Sequence, residues 1–272
     1  GGVATHLSTA QLYGANLRLR TATRILVRVA RFTASNFESL QHGLEAVEWD
    51  RWLSPGRPVS LSVTSHRSRL FHTDAIAERA AAVIGHPVEA DAQLFVLRVV
   101  DDQVTVSVDS SGAPLHERGW RVGAPHAAPL RATIAAGLLM AAGYDGSMPL
   151  VDPFCGSGTI AIEAGLLARR APVNAERRFA CMDWPSHKRS ALREARAAAD
   201  SARVDVSADI RAFDRDDGAV ESTAANAAAA AVTMTVERAT VSSLDPGPSP
   251  GLIATNPPYG HRLGNPEALR DL

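Results

Sequence analysis

Lysine is almost missing from this chain: Lys188 stands alone, and the other basic side chains apart from histidine are arginine. Arginine suits planar, bidentate contact with phosphate, although the base composition of a gene explains the same skew. Cysteine is nearly as scarce. Cys155 and Cys181 make neither a disulfide framework nor a zinc site, which fits a reducing compartment and leads to an expectation of the cytoplasm. No apolar run reaches membrane length, and the opening Gly1-Gly2-Val3 is no signal peptide. A surplus of one charge is missing too. The formal net charge is -1, so any nucleic-acid site has to be local. What is present, 46% hydrophobic and 21% charged residues in 272, describes a globular protein with room for about two domains.

Residues before 110 alternate strand and helix signals but lack paired carboxylates, metal-ligand spacing and a glycine-rich phosphate loop. Thr9 to Thr21 reads as a helix, and Arg24 to Phe32 as a strand with Ile25, Val27 and Val29 on one face. Ser35 and Glu38 form a capping box before a stripe of Phe37, Leu40, Leu44 and Val47. A strand over 59–64, a helix from Thr73 carrying Ile76, Ala80 and Val83, and a hairpin turning at Asp101-Asp102-Gln103 complete the region. Its chemistry is limited to an arginine series, from which Arg24, Arg28, Arg67 and Arg69 are the candidates for phosphate contact; a solvated face is the alternative. Residues 111–126 are rich in glycine and proline and read as a connection, although Leu115-His116-Glu117-Arg118-Gly119-Trp120-Arg121 is unusual for a passive linker. Pro129 then opens a helix with Ile134, Leu138 and Leu139 as its apolar face.

Two later stretches carry chemistry. In Leu150 to Ala164, a short apolar strand ends in Asp152 and runs through Pro153 into a small-residue loop before a helix. Gly156 and Gly158 let a ligand approach the backbone at the helix start. The pattern is neither G-x-G-x-x-G, since Ala161 stands where the third glycine belongs, nor a triphosphate loop. An acid ahead of the loop favours a ligand with an ammonium group over a pyrophosphate, and S-adenosylmethionine has one. In Leu252 to Gly260, four mostly apolar residues read as a buried strand stopped by Pro257 and Pro258. Asn256, Pro257, Pro258 and Tyr259 thereby gather an amide carbonyl, a proline carbonyl and an aromatic face at one strand end, where open α/β sheets bind ligands.

These two motifs, in this order, resemble the class I S-adenosylmethionine-dependent N-methyltransferases, and more closely the THUMP-domain RNA guanine-N2 methyltransferases of the 23S rRNA and tRNA kinds. The resemblance extends to Leu115–Arg121 and to Ala128-Pro129-Leu130-Arg131-Ala132-Thr133. It implies an α/β protein: an N-terminal α+β THUMP and partial ferredoxin-like region over 1–110 that binds RNA, a linker over 111–126, and a Rossmann-like methyltransferase domain over 127–272. It implies that Asp152 takes the methionine ammonium, that Pro153, Cys155, Gly156, Ser157, Gly158 and Thr159 cradle the cofactor, and that an acid after the next strand takes the ribose. Asp214 and Asp183 compete for that last role, and Asp214, followed by a small-residue helix with Asn226, is the choice. Thr240, after a third strand expected over Val232 to Val236, stands where relatives carry an acid for the adenine amine.

The chemistry implied is methylation of the exocyclic N2 of a guanosine in tRNA or 23S rRNA, with no metal and no membrane involved. Asn256 and Pro257 would accept the two N–H groups and Tyr259 would stack on the base. Adenine N6 or a glutamine side chain are alternative acceptors for the same motif, and an RNA-binding protein with a relic catalytic half is the reading outside enzymes. Cys155 reads as a packing residue. Few residues follow Asn256, so the expectation is a sheet incomplete after its fourth strand, with an open apolar flank.

Overall fold

The computed structural model describes residues 2–122, 129–244 and 250–258, and the chain divides into two compact units. One comprises 24–114 and 178–191; the other comprises 1–23, 115–177 and 192–272. The division differs from the sequence-based one in two segments. Residues 1–23 join the later unit, and 178–191 join the earlier one.

The reason for the first difference is visible in α1 (Thr9–Arg18) and the residues just after it. Ser8 and Gln11 cap its start reciprocally. It stops short of the expected Thr21 because Arg20 leaves the helix to donate to the carbonyls of Leu166 (2.8 Å) and Ala171 (2.7 Å). Asn174 donates to the carbonyl of Asn16 at 3.0 Å, and Tyr13 and Leu17 are buried.

The 24–114 unit contains β1 (Leu26–Thr33), α2 (Phe37–Glu45), β2 (Val59–His66), α3 (Thr73–Ile84), β3 (Gln93–Val100) and β4 (Gln103–Asp109). Its sheet order is β1-β4-β3-β2, with β2 and β3 parallel and the other pairs antiparallel. Asp101 and Asp102 both have positive φ, as a two-residue hairpin matched to strand twist requires. Phe95, Leu97 and Val99 of β3 alternate inward with Val104, Val106 and Val108 of β4. The single face expected for β1 is broken by a bulge between Arg28 and Ala30, after which Ala30 and Phe32 take over inward positions from Val27. The cap of α2 is Asn36 with Ser39, not Ser35 with Glu38: the Asn36 carboxamide oxygen accepts from the Ser39 amide at 2.8 Å. Residues 178–191 dock here through Trp184, whose indole donates to Gln93 at 2.8 Å and meets Trp52 edge-on at 4.9 Å.

The second unit continues with α4 (Ala132–Ala141), β5 (Leu150–Asp152), α5 (Thr159–Ala168), α6 (Arg189–Ser201), β6 (Ile210–Asp214), α7 (Asp217–Ala229), β7 (Thr235–Arg238) and β8 (Leu252–Ile253). α6 starts within the 178–191 segment of the other unit. Its strands are all parallel, in the order β7-β6-β5-β8. Helix α5 is buried on both sides. Ile160, Ala161 and Ala164 pack with Leu139, Leu150, Ile210 and Ala212, while Ile162 and Leu166 pack with Trp120, Ala227 and Val232.

Three expectations are corrected in this unit. Helix α4 buries Ala132, Ala135, Ala136 and Leu139 and leaves Ile134 and Leu138 exposed, because small residues allow its close approach to α5. The third strand begins at Thr235 instead of Val232, whose amide closes the end of α7 on the Ala227 carbonyl at 2.9 Å. Strand β8 is half-exposed instead of buried; Ile253 is 66% exposed because, among the described residues, β8 forms one sheet edge.

Glu163 of α5 is fully buried, and Arg118, itself buried, donates to it at 3.1 Å. Arg20 lies 3.7 Å from its other oxygen. Arg118 also donates to the carbonyls of Leu115 (2.8 Å) and Arg20 (2.6 Å), so one guanidinium ties α5, the 115–122 segment and the chain after α1 together. Burial pushes the Glu163 carboxyl up and pulls Arg20 down to about 10. Removing the one anion leaves desolvated cations without compensation. Glu163→Gln is therefore expected to lower stability by about 3 kcal/mol or more in urea denaturation. Glu48→Gln, which breaks the exposed pair with Arg51, changes it by less than about 0.5 kcal/mol.

Candidate active site

In an open parallel sheet, ligands bind outside the carboxyl ends of the strands, where the strand order reverses. Here the chain steps from β5 to β6 to β7 in one direction and then returns to place β8 on the other side of β5. The reversal lies between β5 and β8. Leu150 and Val151 pair in parallel with Leu252 and Ile253, and the Ala254 amide reaches the Val151 carbonyl at 3.1 Å. Asp152 and Thr255-Asn256 therefore emerge side by side at the same sheet edge. Asn256 and Pro258 are half-buried and Pro257 is exposed.

Asp152 is 1% exposed. Burial pushes its carboxyl up to about 6, opposed by the adjacent Thr255 hydroxyl and the Phe154 amide and reinforced by the charge of Asp214. The Phe154 amide donates to it at 3.3 Å. No cation is among the groups that set this value. A buried acid without a counter-charge is an arrangement that proteins keep at functional sites.

The loop between β5 and α5 is built on the next strand and helix. The Cys155 amide donates to the Phe213 carbonyl at 2.9 Å, and the Gly156 amide donates to the Asp214 carboxylate at 3.0 Å. The Thr223 hydroxyl donates to the Gly156 carbonyl at 2.9 Å, and the Asn226 amide donates to the Ser157 carbonyl at 3.0 Å. Thr223 and Asn226 are three residues apart on α7, so one helix face holds the loop. Gly158 caps α5 with φ +77, and an added Cβ would lie 2.8 Å from Cγ2 of Thr223, which is fully buried. Cys155 is a packing residue: burial pushes its thiol up to about 12, which keeps it neutral.

From the other side comes Arg121. Its guanidinium donates to the Ser157 hydroxyl (2.9 Å), the Thr159 hydroxyl (2.8 Å) and the Leu130 carbonyl (2.9 Å). The following amide, that of Val122, donates to the Asn226 side-chain oxygen at 2.9 Å.

The structure thus brings Asp152, Pro153, Cys155, Gly156, Ser157, Gly158, Thr159 and Asp214 into one constellation, with Asn256, Pro257 and Pro258 at the neighbouring strand end. Asp214 ends β6 as expected. Asp183 does not end a strand: Ala180–Met182 forms a short 3-10 turn, and Asp183 is held by Arg57 at 3.0 Å and by Arg178. Thr240 follows β7 but its exposed hydroxyl is spent on Ser242 and Ser243 within its own turn. Tyr259 lies outside the described residues, as do Gly123 and Pro125 of the expected linker.

The four candidate arginines are not gathered. Arg24 is ion-paired to the buried Asp109, near one end of the β1–β4 pair. Arg28 pairs in register with Ser107. Arg67 and Arg69 lie at the hairpin turn at the other end, ion-paired to Asp101 and Asp102. An eight-residue strand such as β1 separates its two ends by about 25 Å.

Sequence reasoning missed Thr255, Thr223 and the role of Arg121. The unusual 115–121 stretch was the signal for Arg121, and Thr255 stood inside the second motif; Thr223 carried none. The glycine loop supplies a stability test. Gly158→Ala meets both a left-handed backbone and a buried side chain, and is expected to cost about 2–4 kcal/mol. Gly156→Ala, at φ +56 with nothing within 4 Å of the added carbon, is expected to cost only about 1–2 kcal/mol in the same urea titration.

Residues 118–272 match the UPF0020 family, described as RMKL-like, methyltransferase domain. "Putative RNA methyltransferase YpsC" of Bacillus subtilis is 33% identical over 95% of this chain and 71% of its own length. "Ribosomal RNA large subunit methyltransferase K/L" of Methylococcus capsulatus is 34% identical over 92% of this chain, which spans only 37% of that relative's length. Among solved structures, SMU.472, "a putative methyltransferase complexed with SAH", superposes with a TM-score of 0.82 at 28% identity, covering 96% of this chain and 73% of the other. With the parallel sheet, the strand-end acid and the glycine loop in place, the chain belongs to the UPF0020, RMKL-like methyltransferase-domain family.

Proposed function

We propose that this chain is an S-adenosylmethionine-dependent RNA N-methyltransferase whose acceptor is the exocyclic N2 of a guanosine in tRNA or 23S rRNA. The observation that carries the reading is the side-by-side exit of Asp152 and Asn256 from two parallel strands at the point where the strand order reverses. The residues fit the cofactor: Asp152 is a buried carboxylate with no cation acting on it, and the left-handed glycines keep side chains off the loop. Asp152 would hold the ammonium, the 155–159 loop the methionine portion, and Asp214 the ribose hydroxyls. Thr240, already bonded within its turn, is a weaker adenine partner than an acid would be. The relatives' names and the SAH bound to SMU.472 support the same assignment. The cofactor, when bound, supplies an electrophilic methyl group on a sulfonium.

The protein's task is to prepare the acceptor. An exocyclic amine is a poor nucleophile while its lone pair is delocalised into the base. The Asn256 carboxamide oxygen and the Pro257 carbonyl would each accept one N–H, turning the lone pair out of the ring plane and holding it in line. Both acceptors act mainly as the nitrogen gains positive charge, so they favour the transition state over the bound substrate. The 24–114 unit, read as the THUMP and partial ferredoxin-like region, would contact RNA through exposed arginines such as Arg28.

The test is methyl transfer from radiolabelled S-adenosylmethionine to RNA from cells lacking the modification, followed by nucleoside analysis. N2-methylguanosine supports the reading, N6-methyladenosine moves it to the other acceptor, and no transfer to any RNA sinks it. Asn256→Ala is expected to slow transfer by about 10²–10³-fold while S-adenosylhomocysteine binding stays within about twofold.

The pH dependence follows from Asp152. Its folded-state value near 6 lies above the unfolded value, so its stabilising share is complete below about pH 4 and is lost as pH rises through 6. The ionised acid then costs the ligand-free fold about 3 kcal/mol. Asp152→Asn is accordingly expected to melt higher than the unaltered chain at pH 8 and to lose that advantage at pH 4. Affinity for S-adenosylhomocysteine, which needs the ionised acid, is expected to fall as pH drops below 6 in the unaltered chain and to be weak at every pH in Asp152→Asn.

A further inference from the structure

The donor's amino-acid end is a zwitterion, and Asp152 answers only its ammonium. The carboxylate on the same carbon needs a positive partner, while both acids at the site, Asp152 and Asp214, repel it. The cation that touches the glycine loop is Arg121.

Its position is over-determined. Arg118 is held on Glu163, Trp120 is buried in the apolar cluster beside α5, and Val122 is held by Asn226. Arg121 lies between these anchors, its guanidinium 4.9 Å from the Trp120 ring centre and bonded to hydroxyls on both sides of Gly158. The three hydrogen bonds leave two of its five N–H groups without a partner among the described residues. The first turn of α5, which begins at Thr159, adds partial positive charge of the same sign. Resting on the cofactor reading above, we infer that Arg121 is the residue that recognises the carboxylate of the donor's amino-acid end, pre-oriented by Ser157, Thr159 and the Leu130 carbonyl. Asp152 and Arg121 then read the two charges of that end separately, and a donor lacking either charge is bound less well.

A brace for the loop would make some of the same bonds, so the test compares two ligands. S-adenosylhomocysteine carries the amino-acid end, whereas 5′-methylthioadenosine keeps the adenosine and thioether and lacks it. Both are titrated calorimetrically into the same preparation, so the ratio of affinities is independent of the folded fraction. Arg121→Gln is expected to weaken S-adenosylhomocysteine about tenfold or more and 5′-methylthioadenosine by no more than about twofold. Arg121→Lys, which keeps the charge without the planar fork, is expected to fall between the two for S-adenosylhomocysteine, and it is read in the same way if the glutamine variant does not fold. Equal weakening of both ligands, or no change in either, overturns the inference and leaves Arg121 as a loop brace. An unaltered chain that binds neither ligand overturns the cofactor reading itself, a result distinct from any obtained with the variants.

Discussion

One short strand governs this molecule. Leu150–Asp152 is hydrogen-bonded in parallel on both sides, to β6 and to β8, and its last residue is a carboxylate that the surrounding core takes almost wholly out of water. Parallel pairing aligns carboxyl ends. Asp152, Asp214 and Thr255-Asn256 therefore reach the same edge of the sheet although a hundred residues separate the first from the last. The register of two strand pairs assembles the site.

What surrounds that strand holds the site against its own costs. A buried acid and a second acid nearby are each unfavourable in the ligand-free fold. They persist because α7 bonds the loop through Thr223 and Asn226, and because the 115–122 segment bonds it from the opposite side through Arg121. Glu163 connects this bracing to the chain after α1: it lies on the helix that the loop starts, and it is paired with arginines from 115–122 and from that stretch. Hydrogen bonds to backbone carbonyls and the burial of Tyr13 and Leu17, together with the Arg20–Glu163 pair, decide which unit residues 1–23 belong to.

Much of the candidate site was legible because its residues are concentrated in two contiguous stretches. The Asp152-to-Thr159 loop and the Asn256-Pro257-Pro258 turn combine glycine, proline and polar residues whose backbone consequences are local. The hairpin at Asp101-Asp102 and the helical stripes of α2 and α3 were readable for the same reason. The errors share a cause. The face of β1 depended on a bulge set by its partner β4, and the buried face of α4 depended on how closely its alanines meet α5. Val232 was apolar enough for a strand but serves to close a helix.

By itself, then, the sequence determined the class of the fold, most of its strands and helices, and the two loops proposed to carry chemistry, since each of these follows from patterns a few residues long. Tertiary structure alone decided which distant groups share a space. Asp214 rather than Asp183 joined the glycine loop because one ends a paired strand and the other is held by Arg57. Arg121 reached the glycine loop because its segment is anchored on Glu163 and Asn226, and Arg24 was drawn onto the buried Asp109. The physical reason is that arginine and aspartate look the same in a sequence whether they face water, a ligand or one another, and only the geometry of burial distinguishes the three.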